Sequence, residues 1–91
     1  MKPSQVLEAA RRSLLEPQVW CQSAFQKGDR RTAMTAIMLV EGPGIWEATN
    51  YFRRVAGCEL ITIWNDHPDR THEEVIAAFS AAVALAESEG K

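Results

Sequence analysis

The chemistry-bearing residues of this chain concentrate between positions 66 and 74. His67 and His72 lie there with four carboxylates, Asp66, Asp69, Glu73 and Glu74. Zinc sites often place two histidines four positions apart on a helix, whereas these two are five apart, across a turn and a helix start. If the protein is an enzyme, this cluster is where a metal-dependent or acid–base reaction would take place, and we keep that function as the alternative to the non-catalytic one predicted below. We favour a solvated polar turn and predict neither a metal nor a cofactor.

Other catalytic arrangements have weaker support. Cys21 has no local signature that pairs it with His67 for nucleophilic catalysis. Cys21 and Cys58 are 37 positions apart and form no C-x-x-C motif, which argues against redox or cysteine–zinc sites. Gly42-Pro43-Gly44 is too short for a phosphate loop and predicts a turn. The sequence therefore predicts a protein that is not an enzyme.

The positive charge comes mainly from three Arg-Arg pairs, at positions 11–12, 30–31 and 53–54. Residues 1–58 carry a net charge of +3 and residues 59–91 a net charge of −5. This division favours ion pairs between a basic front half and an acidic back half. Since the isoelectric point is near 5.6, we expect no tight binding of nucleic acid.

Four segments have helical patterns. Apolar residues at helical spacing predict a first helix from Pro3 to Leu15 and a third from Ile45 to Val55, which Gly57 ends. A second helix should begin at Asp29 as its N-cap, after the Lys27-Gly28-Asp29 turn, and end near Glu41. The fourth helix is the clearest: Thr71 and Glu74 form a capping box before an unbroken apolar stripe from Val75 to Ala86.

One segment has a strand-like composition. Residues 59–64, with the β-branched run Ile61-Thr62-Ile63, predict extended chain that pairs with Val19–Phe25 as a two-stranded ribbon. The expected fold is thus mainly α, a small single domain over residues 1–91 with three to four helices and room for one short β-ribbon. No window holds eighteen uncharged apolar residues, so we expect no membrane segment and a cytoplasmic protein.

The segment before the last helix predicts a structural hinge. Trp64 should fill the core, and Asn65 and Asp66 should bond backbone amides of the turn. Pro68 fixes one dihedral, and Arg70 can reach Asp66 or Asp69. The hinge then leads into the capping pair Thr71 and Glu74.

These residues also carry a resemblance to a known family. The stretch from Trp64 to Thr71, followed by Glu74-Val75, resembles the signature W-N-D-x-P-x-R-T-x-x-E-V of short bacterial and phage proteins of unknown function. Weaker similarity covers the opening helix and Trp20-Cys21-Gln22. The resemblance implies a bacterial or phage origin and supplies no activity.

The remaining candidate site is an apolar patch. A small core cannot easily hide three tryptophans, three phenylalanines and a tyrosine, so some large side chains should reach the surface and mark a protein contact. We predict that the patch contains Met34, Met38, Trp46 and Tyr51, with Arg53 and Arg54 as its polar rim. The alternative is that all four apolar residues complete the core and the protein is a monomer. The predicted function is a non-catalytic protein-binding module, encoded by a phage or mobile element and modulating or inhibiting a host system. Its partner is another protein or a second copy.

Overall fold

The computed structural model describes residues 1–23, 26–40 and 42–91. Over these residues the chain forms five α-helices, which are α1 (Pro3–Ser13), α2 (Ala33–Met38), α3 (Ile45–Ala56), α4 (Ile61–Asp66) and α5 (His72–Ser88). A 3-10 turn covers Pro17–Val19, and two short antiparallel strands pair as β1 (Gln26–Lys27) and β2 (Arg30–Arg31). The predicted mainly helical fold is confirmed, with one helix more than expected.

The three longest helices enclose the core. α5 packs against both α1 and α3, and the predicted inward stripes of all three meet there. Two aromatic rings, Phe52 of α3 and Phe79 of α5, contact each other with centroids 4.7 Å apart and are fully buried. Such a contact between two buried rings is among the strongest contributors to a small core. In the part of the chain that is described, no helix is long and apolar enough to cross a membrane.

The start of α3 depends on a glycine. Gly44 is the N-cap with a φ of 98°, in the left-handed region that other residues rarely adopt. A Cβ atom at this position would lie 2.8 Å from the backbone oxygen of Met1. Gly44 therefore permits both the turn and the close approach of the N-terminus.

The predicted ribbon between residues 19–25 and 59–64 is wrong. Ala24 and Phe25 lie outside the described residues, and Trp20 instead makes a parallel bridge to Arg31. The observed strand pair flanks the predicted turn at Gly28 and Asp29. A local hairpin closes with far less loss of chain entropy than a pairing of segments far apart in the sequence.

The strand-like segment forms α4 instead. Ile61 and Asn65, four positions apart, are both buried on one side of this helix, whereas Ile63 is exposed. β-branched residues disfavour a helix by well under about 1 kcal/mol each, so tertiary packing easily outweighs them. The four-residue spacing of the buried Ile61 and Asn65 fits a helix and not a strand, which agrees with the observed α4.

The second helix also differs from the prediction. Its N-cap is Thr32, whose hydroxyl accepts a hydrogen bond from the Thr35 amide at 3.2 Å. Asp29 is part of the hairpin turn, and Glu41, the predicted end of the helix, lies outside the described residues. The helical spacing of Ala33, Ala36, Ile37 and Val40 predicts that these four residues face inward. The first three are buried and Val40 is half-buried, so the predicted face is right although the helix is shorter.

Candidate functional site

Asn65 is the centre of a buried hydrogen-bond network. Its side chain has no solvent exposure. Oδ1 accepts hydrogen bonds from the indole nitrogen of Trp20 at 2.7 Å and the amide of Ala33 at 3.0 Å. Nδ2 donates to the carbonyl of Cys21 and to Asp66 Oδ1, both at 3.1 Å. The amide is fully satisfied, as a buried polar group must be, and joins three separate segments.

Further hydrogen bonds join the residues next to Asn65 to Gln22 and Ser23. Asp66 Oδ1 accepts from the Ser23 amide at 2.8 Å. Gln22 Nε2 donates to the carbonyls of Asn65 and His67, at 2.9 and 2.8 Å. Asn65 and Asp66 do bond backbone amides, as predicted, but those of residues 23 and 33 rather than those of their own turn.

Sequence reasoning missed this network because most of its contacts join residues more than thirty positions apart. The available signal was the second, weaker resemblance, over Trp20-Cys21-Gln22. Trp20 and Gln22 are the residues of that stretch whose side chains reach α4. The two stretches that resemble the family, residues 20–22 and residues 64–71, thus contact each other in the fold.

Trp64 and Arg70 form a stacked pair over the core. Trp64 is half-buried, and its ring packs edge-on against Phe52 with centroids 5.2 Å apart. The Arg70 guanidinium lies 4.0 Å above the Trp64 ring, within cation–π range. Arg70 also donates to the Trp64 carbonyl at 3.0 Å and pairs with Glu74 at 3.4 Å. The predicted contact with Asp66 or Asp69 is therefore wrong, because α4 points its own C-terminal carbonyl at Arg70.

The predicted capping box of α5 is confirmed. Thr71 Oγ1 accepts from the Glu74 amide at 3.2 Å, and Glu74 accepts from the Thr71 amide at 2.9 Å. The Thr71 amide is the main cause that lowers the pKa of Glu74, and Arg70 contributes. Pro68 lies in the exposed turn between α4 and the box.

The polar cluster does not converge on a metal site. His67 Nδ1 accepts from the Asp69 amide at 3.1 Å, whereas His72 Nε2 contacts the carbonyl of Leu14 on the other side of α5's start. Within the three described ranges, no group of three or more histidine, cysteine or acidic side chains could hold a metal ion. His67 is thus engaged within its own turn, whereas His72 contacts the C-cap residue of α1.

Four of the six predicted interaction residues line one open groove. Met34, Met38, Trp46 and Arg53 surround it, together with Glu59, Leu60 and Ile61, and its volume is about 520 Å³. Trp46 is 73% exposed and Met38 53%. The groove lies between α2, α3 and the start of α4, with apolar side chains on each wall.

Tyr51 and Arg54 do not belong to this surface. Tyr51 is buried in the core, and its hydroxyl donates to Glu89 at 2.9 Å. Burial and this carboxylate raise the pKa of Tyr51. Arg54 forms an ion pair with Glu89 at 2.9 Å. Both residues fasten α3 to the end of α5, so their assignment to the patch is corrected.

Sequence reasoning missed two exposed apolar residues beside the groove. Leu60 is 57% exposed and Ile63 is 67% exposed. They line a second cavity of about 450 Å³ that shares Glu59 and Leu60 with the groove. A strand prediction concealed them, because period-two alternation does not separate the faces of a helix. We call Met38, Trp46, Leu60 and Ile63 the apolar face.

The wall of the second cavity contains Cys58. Burial raises the pKa of this thiol, although Arg53 and Arg70 oppose the shift. A raised pKa reduces the thiolate fraction that a nucleophile needs. Cys58 is therefore part of an apolar wall rather than an activated cysteine.

Three arginines of the Arg-Arg pairs are neutralised by glutamates of the fold. Arg11 and Arg12 both contact Glu8, and their hydrogen bonds lower the pKa of that carboxyl. Arg54 pairs with Glu89, which is the one pairing of front and back halves among the described ion pairs. The predicted pairing between the two halves is therefore wrong for the other described ion pairs, which join neighbours three and four positions apart.

Comparison with known proteins agrees with the resemblance seen in the sequence. The model of DUF6197, described as a family of unknown function, matches residues 1–85. No curated protein and no solved structure matches the chain. The match includes the first four helices, the Asn65 network and most of α5. The chain therefore belongs to DUF6197, a family of unknown function.

Proposed function

We propose that this protein is a non-catalytic binding module that contacts another protein chain through the apolar face. The observation that carries the proposal is that Met38 of α2, Trp46 of α3 and Leu60, just before α4, are large, exposed apolar side chains around one open groove. Contiguous exposed apolar surface on a small domain is typical of protein–protein contacts. Tryptophan and arginine are also the side chains that dominate binding energy at such contacts.

The surroundings of the face support the same proposal. Trp46 and Leu60 both line the groove, and so do the charged residues Arg53 and Glu59. An apolar centre with charged residues at its edge is the usual anatomy of an interface. The groove is open rather than enclosed, which suits a protein surface better than a small molecule that must be enclosed.

The competing enzyme function has no comparable support. Asp66 and Glu74 accept hydrogen bonds that hold the fold, and each histidine ring contacts a backbone group of the fold. Nucleic-acid binding through the arginine pairs is disfavoured, because three of these six arginines already contact carboxylates. The protein would act in the cytoplasm by covering a surface of its partner. This mode of action fits a modulator or inhibitor of a host system, encoded by a phage or mobile element.

The test uses variants of the face and a control outside it. A tagged wild-type protein is used to identify a partner in its bacterial host, and the complex is then rebuilt from purified components. Trp46→Ser and Leu60→Ser should each weaken that complex by about tenfold or more. Leu15→Ser is the control, because Leu15 is 47% exposed but does not line the groove.

Circular dichroism of each variant establishes that the fold is retained. Equal binding by the wild type and both face variants would overturn the proposal. So would the failure of purified wild-type protein to bind any chain, including a second copy of itself.

A further inference from the structure

The apolar face has both a projection and a recess, and these two shapes can fit each other. This inference rests on the proposed function and concerns the identity of the partner. Trp46 is the most exposed large apolar side chain of the described residues, at 73%. It lies at the edge of the 520 Å³ groove and also lines a third cavity with Met38 and Pro43. A surface that presents a tryptophan beside an apolar groove has the shape to accept its own copy.

The charges of the groove are also complementary to those of a second copy. Arg53 and Glu59 both line it and are both exposed. Among the described residues, neither side chain has an opposite charge within ion-pair distance, and Arg53 contacts only the amide oxygen of Asn50, at 3.3 Å. Other arginines, such as Arg11, Arg54 and Arg70, each contact a glutamate. The groove thus has one positive and one negative charge that form no ion pair within the described residues.

We propose that the occupant of the apolar face is a second copy of this chain, related by a two-fold axis. In a two-fold interface the same patch faces itself, so a contact from residue i to residue j occurs twice. Arg53 of each chain then pairs with the partner's Glu59, and Trp46 of each chain enters the partner's groove. An acidic helix from a different protein would satisfy Arg53 but would repel Glu59, and a basic helix would do the reverse.

A charge-exchange experiment tests this arrangement directly. Sedimentation velocity over a wide concentration range should show wild-type protein passing from one chain to two. Arg53→Glu places two glutamates together at each contact, and Glu59→Arg places two arginines together. Each variant should weaken the dimer by about tenfold or more, since like charges brought together at an interface cost more than a lost pair.

The decisive sample is the equimolar mixture of these two variants. In a mixed dimer, the Arg53→Glu side chain of one chain faces the Glu59→Arg side chain of the other. The second contact joins the unchanged Arg53 to the unchanged Glu59, so both contacts again join opposite charges. The mixture should therefore form a heterodimer at concentrations where each variant alone is monomeric. Arg30→Glu and Glu87→Arg are matched controls, because both residues are exposed, lie outside the groove and make none of the ion pairs of the described residues.

Two further variants protect the test against misfolding. Arg53→Gln and Glu59→Gln remove each charge without reversing it and should weaken the dimer less than the reversals do. Circular dichroism should be the same for all of these variants, because both residues are exposed.

The possible outcomes separate this inference from the proposed function. Wild-type protein that stays monomeric at every concentration overturns the second copy as occupant, yet the proposed function survives if Trp46→Ser still abolishes binding to a different protein. A dimer that is unaffected by both reversals and by Trp46→Ser uses another surface and overturns the inference as well. Recovery of dimer only in the mixture supports it.

Discussion

From Trp64 to Glu74 most polar side chains bond to their own chain, whereas on the neighbouring apolar face the large side chains reach into solvent. Asn65 is fully buried and uses both oxygen and nitrogen of its amide in four hydrogen bonds. Trp46, by contrast, is 73% exposed beside an open groove. Polar residues that suggested a catalytic or metal site, such as Asp66 and Glu74, stabilise the fold. Large apolar residues that are usual in a core, such as Trp46 and Ile63, are exposed. A buried polar group must find partners inside, and an exposed apolar group gains most from a partner outside.

Removal of the buried Asn65 amide should have the largest effect on stability. Asn65→Ala leaves the Trp20 indole, the Ala33 amide and the Cys21 carbonyl without the bonds that Asn65 makes to them. Each buried group that loses its partner costs about 1–3 kcal/mol, so we expect a loss of about 4 kcal/mol in unfolding free energy. Urea denaturation followed by circular dichroism measures it. Asp69→Ala, an exposed change four positions along, is the control, and an equal effect of both would remove Asn65 from the centre of the network.

Trp64 should have the next largest effect. Trp64→Ala removes the ring between Phe52 and Arg70, and truncation of a tryptophan in a core costs about 3–5 kcal/mol. Because Trp64 is only half-buried, we expect the lower end, about 3 kcal/mol, from the same urea denaturation. A neutral Trp64→Ala variant that instead loses partner binding would transfer Trp64 to the apolar face and break the division between the two regions.

The capping residue should have a smaller effect. Thr71→Ala removes the hydroxyl that accepts from the Glu74 amide, and loss of such a cap costs about 1 kcal/mol. Thr71→Ser keeps the hydroxyl and should keep most of the stability. If thermal denaturation shows Thr71→Ser to be as unstable as Thr71→Ala, the hydrogen bond is not what Thr71 contributes.

The box and the long helices show how much could be predicted from the sequence. Thr71 and Glu74 indicate a helix start because the bonds that they make are local, within one turn. The inward stripes of α1, α3 and α5 were predictable for the same reason, since their spacing is a property of one helix.

The distant contacts could not be predicted in this way. Asn65 resembled a turn residue because its partners at positions 20, 21 and 33 are invisible in its own neighbourhood. The same limit affected Leu60 and Ile63, whose β-branched surroundings suggested a strand. Only the burial of Ile61 and Asn65 against the other helices makes this segment helical and exposes its opposite side. The groove and the cavity beside it are therefore lined by four of the six predicted interaction residues and by Leu60 and Ile63, which the local sequence pattern did not indicate.

The pH dependence of the box gives a finer test. The pKa of Glu74 lies below its ordinary value of 4.5, first because the Thr71 amide donates to the carboxylate and then because Arg70 is near. A carboxyl whose pKa is lower in the folded state stabilises the protein above its unfolded-state pKa, and this contribution disappears as pH falls through the folded value. Urea midpoints should therefore fall below about pH 4.5. Glu74→Gln should reduce that fall and Glu73→Gln should not; a wild-type midpoint that is constant with pH would contradict the shift.

The smallest effect on stability is expected for Trp46, the most exposed large apolar residue among those described. Trp46→Ala removes a side chain that is mostly in water, and a surface substitution of this kind changes stability by about 0.5 kcal/mol or less. Its urea midpoint should therefore match that of the wild type, while light scattering should show that it no longer associates. Trp64→Ala is the opposite case, unstable whether or not a partner is present. If Trp46→Ala unfolds while the wild type is a monomer at all concentrations, Trp46 belongs to the core, and the face has lost the residue on which its binding role depends.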